Sequence, residues 1–131
     1  MEIRSVDTGA GTEDMIITAH VSTLGADAGT IEVLKTMPYA LEITEIRVVL
    51  TGKLVTASST HKIKVTNGTN DICADLIPAL ADAIGTEYMG TIDATYKKVS
   101  KAMKIAIVGT AGTTASTGGH ALVVIKARRV E

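Results

Sequence analysis

The chain has 131 residues, 46% of them hydrophobic and 21% charged, with a formal net charge of −1 at pH 7. That length suits one domain with a real core and falls short of two. No apolar run approaches the roughly 20 residues a membrane-spanning helix requires. The mean hydropathy of +0.29 therefore points to subunit interfaces that bury more surface than one monomer can.

Aromatic residues make up 2% of the chain: Tyr39, Tyr88 and Tyr96, with no Phe or Trp. Sugar-binding modules and single-strand nucleic-acid binders use aromatic stacking platforms, so both functions are disfavoured and the core must be aliphatic. Cys73 is the single cysteine, which excludes an internal disulfide and a Cys-based zinc site; it reads as a small buried hydrophobe, in a chain made in a reducing cytoplasm. The start, MEIRSVDTGAGTEDM, has no apolar h-region and does not read as a secretory signal. Charge is divided unevenly. Residues 1–96 hold six Lys/Arg against thirteen Asp/Glu, while residues 97–131 hold seven against Glu131 alone. Such a bipolar chain can dock its basic part on an acidic surface, including a copy of itself. Alternatively, the two halves interleave and the charges mix on the surface.

In chain order, the polar, Gly-containing residues 1–14 read as an N-terminal arm. Residues 15–131 read as a single β-sandwich domain. Met15 to Val21 alternates as a first strand. A turn-rich connection leads to a second strand, Thr30 to Met37, punctuated by Pro38. Leu41 to Thr51 is the clearest strand: Leu41 and Ile43 share one parity, and Ile46, Val48 and Leu50 the other. One extra residue at Thr44-Glu45 returns all five to the core face, which predicts a β-bulge or bend there. After the loop Ala57-Ser58-Ser59-Thr60 comes a strand from Lys62 to Thr66, with Ile63 and Val65 inward. Asn67-Gly68 follows at a hairpin position, both residues accepting positive φ. Asn67-Gly68-Thr69 also matches the N-glycosylation pattern, but the turn reading is favoured. Ile72, Leu76, Leu80 and Ile84 form a helical stripe that Pro78 interrupts. The expectation is a strand to Leu76, then a short helical segment near 78–84 that stops at Gly85. Tyr88 to Tyr96 is a weak strand and Met103 to Val108 a firm one. The small-residue loop 109–119 precedes a central strand, Ala121 to Ala127, apolar on both parities through Ile125. The sum is all-β: an antiparallel, jelly-roll-like sandwich of about eight strands.

No constellation carries obvious chemistry. The strand KIAIV before Gly109-Thr110-Ala111-Gly112 lacks the spacing and the helix of a dinucleotide loop, and Thr51-Gly52-Lys53 lacks the glycines of a P-loop, so both read as plain loops. His20, His61 and His120 have no metal-ligand spacing. Asp71, Asp75, Asp82, Glu87 and Asp93 have no aromatic walls to hold a sugar between a carboxylate pair. Ser58, Ser59 and Ser116 lack a nucleophile elbow. The basic run Lys97, Lys98, Lys101 and Lys104 lacks the interleaved aromatics of a nucleic-acid reader and suits a docking face or solvated edge. The expectation is a non-enzyme with no cofactor and no metal, binding neither nucleic acid nor membrane.

Four stretches carry a resemblance. They are Ile43-Thr44-Glu45-Ile46-Arg47-Val48-Val49-Leu50, then Ile63-Lys64-Val65-Thr66-Asn67-Gly68-Thr69, then Lys104-Ile105-Ala106-Ile107-Val108-Gly109-Thr110-Ala111-Gly112, and finally Gly119-His120-Ala121-Leu122-Val123-Val124. Over roughly residues 30–127 the chain resembles small tailed-bacteriophage virion proteins of the jelly-roll decoration (cement) or head-fibre type. Lys62 and Lys64 stand where such proteins often carry an Asp, and the chain has fewer aromatics than they do. The resemblance implies a structural virion protein, made in the host cytoplasm, that binds the outside of a phage head and stabilises it. Its partners would be the major capsid protein and itself, as a homotrimer. The arm, with Glu2, Ile3 and Arg4, and the basic segment, with Lys97, Lys98, Lys101, Arg128 and Arg129, are the contact candidates. The alternatives are a tail, neck or fibre component and a non-catalytic glycan-binding module.

Overall fold

The computed structural model describes residues 2–8, 14–22, 29–34, 39–54, 62–77, 82–110 and 118–130. Among these residues there is no helix. Ten strands form in chain order: β1 (Glu2–Thr8), β2 (Asp14–Ser22), β3 (Gly29–Leu34), β4 (Leu41–Leu54), β5 (Lys62–Thr66), β6 (Asp71–Leu76), β7 (Glu87–Met89), β8 (Lys98–Val99), β9 (Ile105–Thr110) and β10 (Gly118–Arg129). Sheet A runs β1-β2-β10-β4-β7, with β8 also on β4, and sheet B runs β3-β9-β5-β6. Every pairing is antiparallel.

The pairs β2–β10, β3–β9, β4–β7 and β5–β6 are nested, and they alternate between sheets A and B. The chain is thus one long hairpin, with its tip at the β5–β6 turn, wrapped around a core. That is the jelly-roll-like wrap, in which two packed sheets come from one folded ribbon.

The core lies between the sheets and is aliphatic. Sheet A contributes Ile17, Ala19 and Val21 from β2, Ala121, Val123 and Ile125 from β10, and Leu41, Ile43, Ile46, Val48 and Leu50 from β4. Sheet B answers with Val33, Ile63, Val65, Ile72, Cys73, Ile105 and Ile107. β-Branched residues dominate because their stiff side chains suit a pleated, buried surface.

The parity slip in β4 resolves as expected. Lys126 pairs with Glu45 and Ala127 with Ile43, so Thr44 is the extra residue. Its hydroxyl donates to the Lys126 carbonyl at 3.2 Å. Ile43 and Ile46 consequently share the core, at 1% and 0% exposure. A second register shift, between His120 and Ala121, marks the far end of β4. There Thr51-Gly52-Lys53, expected as a loop, belongs to the strand.

Other expectations are corrected. The turn after β5 is not a two-residue hairpin with both residues at positive φ. It spans Asn67 to Asn70, with only Gly68 in that region (φ 99°). Asn67 shapes it instead: its Oδ1 accepts from the backbone N–H of Thr69 at 3.0 Å and of Asn70 at 2.8 Å. This is the Asx-type competition that short polar side chains favour. Asn67 is 5% exposed, which takes the sequon's amide out of solvent. In the segment 78–84, residues 78–81 lie outside the described residues; the rest is not helical, and Ile84-Gly85 forms a turn. The Tyr88–Tyr96 strand shortens to β7, with an isolated bridge from Ile92 to Cys73 and a turn over 94–96. The first 14 residues, read as an arm, contain β1, which pairs with β2 from Glu2↔Ser22 to Thr8↔Ile17. The open hydrogen-bonding edge of β2 recruits a segment whose sequence alone advertises no strand.

Candidate interaction surfaces

The contact candidates fall into two separate groups. Glu2 and Ile3 pair with Ser22 and Val21, and Arg4 sits at a register shift between Ile3 and Ser5. Val21 also pairs with Ala121, near the start of β10. The basic residues are at the other end of the sheet, where Arg128 pairs with Glu42, Arg129 with Leu41, and Lys98 with Glu42. Seven residues of β10, about 23 Å at strand rise, separate the groups.

The basic end is organised around Glu42, a carboxylate only 8% exposed. Arg128 donates to its Oε2 through Nε at 3.0 Å and through an Nη at 2.7 Å. Lys97 Nζ lies 3.2 Å from Oε1. Hydrogen bonds from Arg128 and then Lys97 hold the carboxyl below its usual range, outweighing the opposing effect of burial. A buried carboxylate is tolerated only when paired this way. The Arg129 guanidinium stacks on Tyr39, 4.4 Å from the ring centroid, a cation–π contact. Lys98 and Lys101 are exposed, on β8 and in the turn after it. In that turn the N–H of Met103 donates to Ser100 O at 3.1 Å, and Ala102 takes a φ of 73°.

The bipolar sequence is largely mixed by the fold. Lys97 and Arg128 meet Glu42, Lys104 meets Glu32 at 2.8 Å, and Lys126 meets Glu45 at 3.4 Å. The acids flagged in the sequence also have partners. Asp71 faces Lys64 at 3.2 Å, Asp75 faces Lys62 at 3.7 Å and Glu87 faces Arg47 at 3.2 Å. Asp82 accepts from the Tyr88 hydroxyl, and Asp93 from the N–H groups of Thr95 and Tyr96. His20 Nε2 lies 3.3 Å from Thr51 Oγ1, and the His120 ring packs on Gly52. His61, Ser58, Ser59 and Ser116 lie outside the described residues. Among the described residues, no three His, Cys, Asp or Glu side chains gather as metal ligands would, and no helix is long and apolar enough to cross a membrane. Cys73 is 1% exposed and burial raises its thiol pKa.

Sequence reasoning missed the outer faces, because they exist only once strand order is set. Outside sheet B, Lys62, Lys64, Asp71, Asp75, Glu32 and Lys104 form three ion pairs. Between them runs a shallow trough floored by Thr30, Thr66, Ala106 and Val108. Outside sheet A, pairing lines up Thr18, Val124, Arg47 and Met89 in one row and His20, Leu122, Val49 and Glu87 in the next. Ile16, Lys126 and Glu45 form a third.

The nested strand order and the continuous aliphatic core define a jelly-roll-like β-sandwich. No protein-family model matches the chain, and no curated protein matches it. Among solved structures, a chain of the cyanophage Pam1 capsid asymmetric unit shares the fold, with a TM-score of 0.59 at 13% sequence identity. The alignment covers 97% of this chain and 94% of that one.

Proposed function

We propose that this chain is a structural protein of a phage particle, a decoration protein seated on the outside of the head that contacts the major capsid protein and copies of itself. The observation that carries the reading is the fold match, over nearly the full length of both chains, to a component of a phage capsid. A match confined to a common core would say less, because sandwiches host many functions.

The role requires no bond to be made or broken. It requires a rigid domain, a patch complementary to the capsid and contacts between subunits. A protein that binds only the assembled lattice stabilises it by mass action. The basic end suits the capsid patch: Arg128 and Lys97 are tied to one buried carboxylate, Lys98 is its register partner, Lys101 lies in the turn after β8, and Arg129 stacks on Tyr39. Lys98 and Lys101 are the cations left to reach an acidic partner, and contact through them would be salt-dependent.

The test is to incubate the purified protein with heads that lack it, sediment the particles and count bound copies. Head decoration predicts many copies per particle, released by salt and reduced by Lys98→Glu with Lys101→Glu. A few copies per particle would assign the chain to the tail, neck or fibre instead. No binding to heads, with retention on a glycan array, would favour a glycan-binding module.

A further inference from the structure

We infer that the outer face of sheet A is the surface through which copies of this chain associate. The inference rests on the proposed role for the expectation of self-association, but it is carried by the composition, charge and size of that face.

The face is apolar where a solvent-facing sheet would be polar. Ile16 is 47% exposed and Met89 52%, and between them lie Val124, Leu122 and Val49, each partly exposed. An antiparallel sheet with one wet side shows clean alternation, apolar inward and polar outward. β10 breaks that rule: Ala121, Val123 and Ile125 fill the core while Leu122 and Val124 face out. Val124, Leu122 and Val49 are neighbours on this face, with Ile16 and Met89 at its flanks, and exposed apolar surface of this kind marks an interaction site.

Charge selects a second copy as the occupant. Around a two-fold axis a patch meets its own image. A patch of one sign would repel itself; this one is neutralised internally. Arg47 bridges Glu45 at 3.3 Å and Glu87 at 3.2 Å, and Lys126 joins Glu45. Two cations and two carboxylates cancel across β2, β10, β4 and β7, and only Asp7 of the edge strand β1 joins the Thr18 row by register. The basic end has the opposite character and suits an unlike partner.

Size agrees. Five neighbouring strands span about 24 Å, and nine residues of β2 about 30 Å, a projected area of about 700 Å². A stable interface takes about 800 Å² per partner.

The experiment is analytical ultracentrifugation of the whole chain at micromolar concentration, with circular dichroism as the folding control. The wild type is expected to be a dimer. Val124→Glu, at the centre of the face, should weaken association at least about 30-fold. Ile16→Glu, at an exposed position that folding tolerates, should weaken it in the same direction. Lys64→Glu, on the outside of sheet B, should leave it unchanged. A monomeric wild type overturns the inference, and so does an oligomer that both sheet A variants leave intact. A monomer that loses head binding on Val124→Glu overturns it too, because the face would then belong to the capsid contact. Head binding by a monomer would leave the proposed function standing, so the two can fail separately.

Discussion

The two outer faces of the sandwich are built on the same pleat but solve different problems. On sheet B, oppositely charged residues face each other across strands, Lys62 with Asp75 and Lys64 with Asp71. Lys104 reaches Glu32 along its rim. On sheet A, the corresponding rows carry Ile16, Thr18, Val49, Leu122, Val124 and Met89 around one compensated ion cluster. A ladder of exposed ion pairs adds little stability but keeps a sheet hydrated and single. An apolar, neutral face adds nothing to a monomer and gains by burial. The difference teaches that, of these two faces, sheet A carries the exposed apolar side chains, while Ile77 and Ile84 are exposed outside the strands.

That contrast can be tested at three places beyond the association variants. The largest effect is expected where the sheets meet. Gly90 follows β7, and a Cβ there would sit 2.4 Å from Cys73 Sγ and 3.3 Å from Ile46 Cβ. Its N–H also donates to Ile46 O at 2.8 Å, so the backbone cannot easily retreat. Gly90→Ala should destabilise by about 1–3 kcal/mol, read by urea unfolding, and should also make the Cys73 thiol reactive toward a thiol reagent under native conditions.

Next is the end of sheet A. The Glu42 carboxyl has its folded pKa depressed, chiefly by Arg128 and then Lys97. Its contribution is therefore fully present above the ordinary glutamate value of about 4.3 and is lost as pH falls through the lower folded value. Glu42→Gln should melt at a lower temperature than the wild type at pH 7, and the gap should close on acidification below about pH 4. A gap constant with pH would mean that packing, not charge, is what Glu42 supplies.

The smallest effect belongs to the sheet B face. Lys64→Ala removes an ion pair to Asp71 in which both side chains are substantially solvated. It should change stability by less than about 1 kcal/mol. A larger loss would mean that this face is packed rather than hydrated.

Much of the fold was legible in the sequence, for reasons visible in particular residues. The slip between Ile43 and Ile46 announced the bulge because side-chain parity is binary. Lys62–Thr66 and Ala121–Ala127 announced themselves by their patterns. β1 did not, because an edge strand is held by the backbone of its neighbour and needs no apolar stripe. The turn at Asn67 was found by position, while its geometry depended on a side-chain oxygen bonding two N–H groups. The interaction surfaces were the least legible. Glu42 and Arg128 are 86 residues apart, and which residues of β2, β4 and β10 share an outer row depends on a strand order that no local pattern encodes. The contact candidates stand out in the sequence as an N-terminal arm and a basic segment, and the fold places them at opposite ends of one sheet.

The most direct measurement is an image reconstruction of a phage head carrying this protein, at a resolution that separates strands. The account predicts density on the outer surface of the head lattice. The outer faces of sheet A should be turned toward one another between copies, the Lys98–Lys101 end should be set against the capsid, and the ion-paired face of sheet B should be open to solvent. Heads without such density, or copies that meet through sheet B, would contradict it.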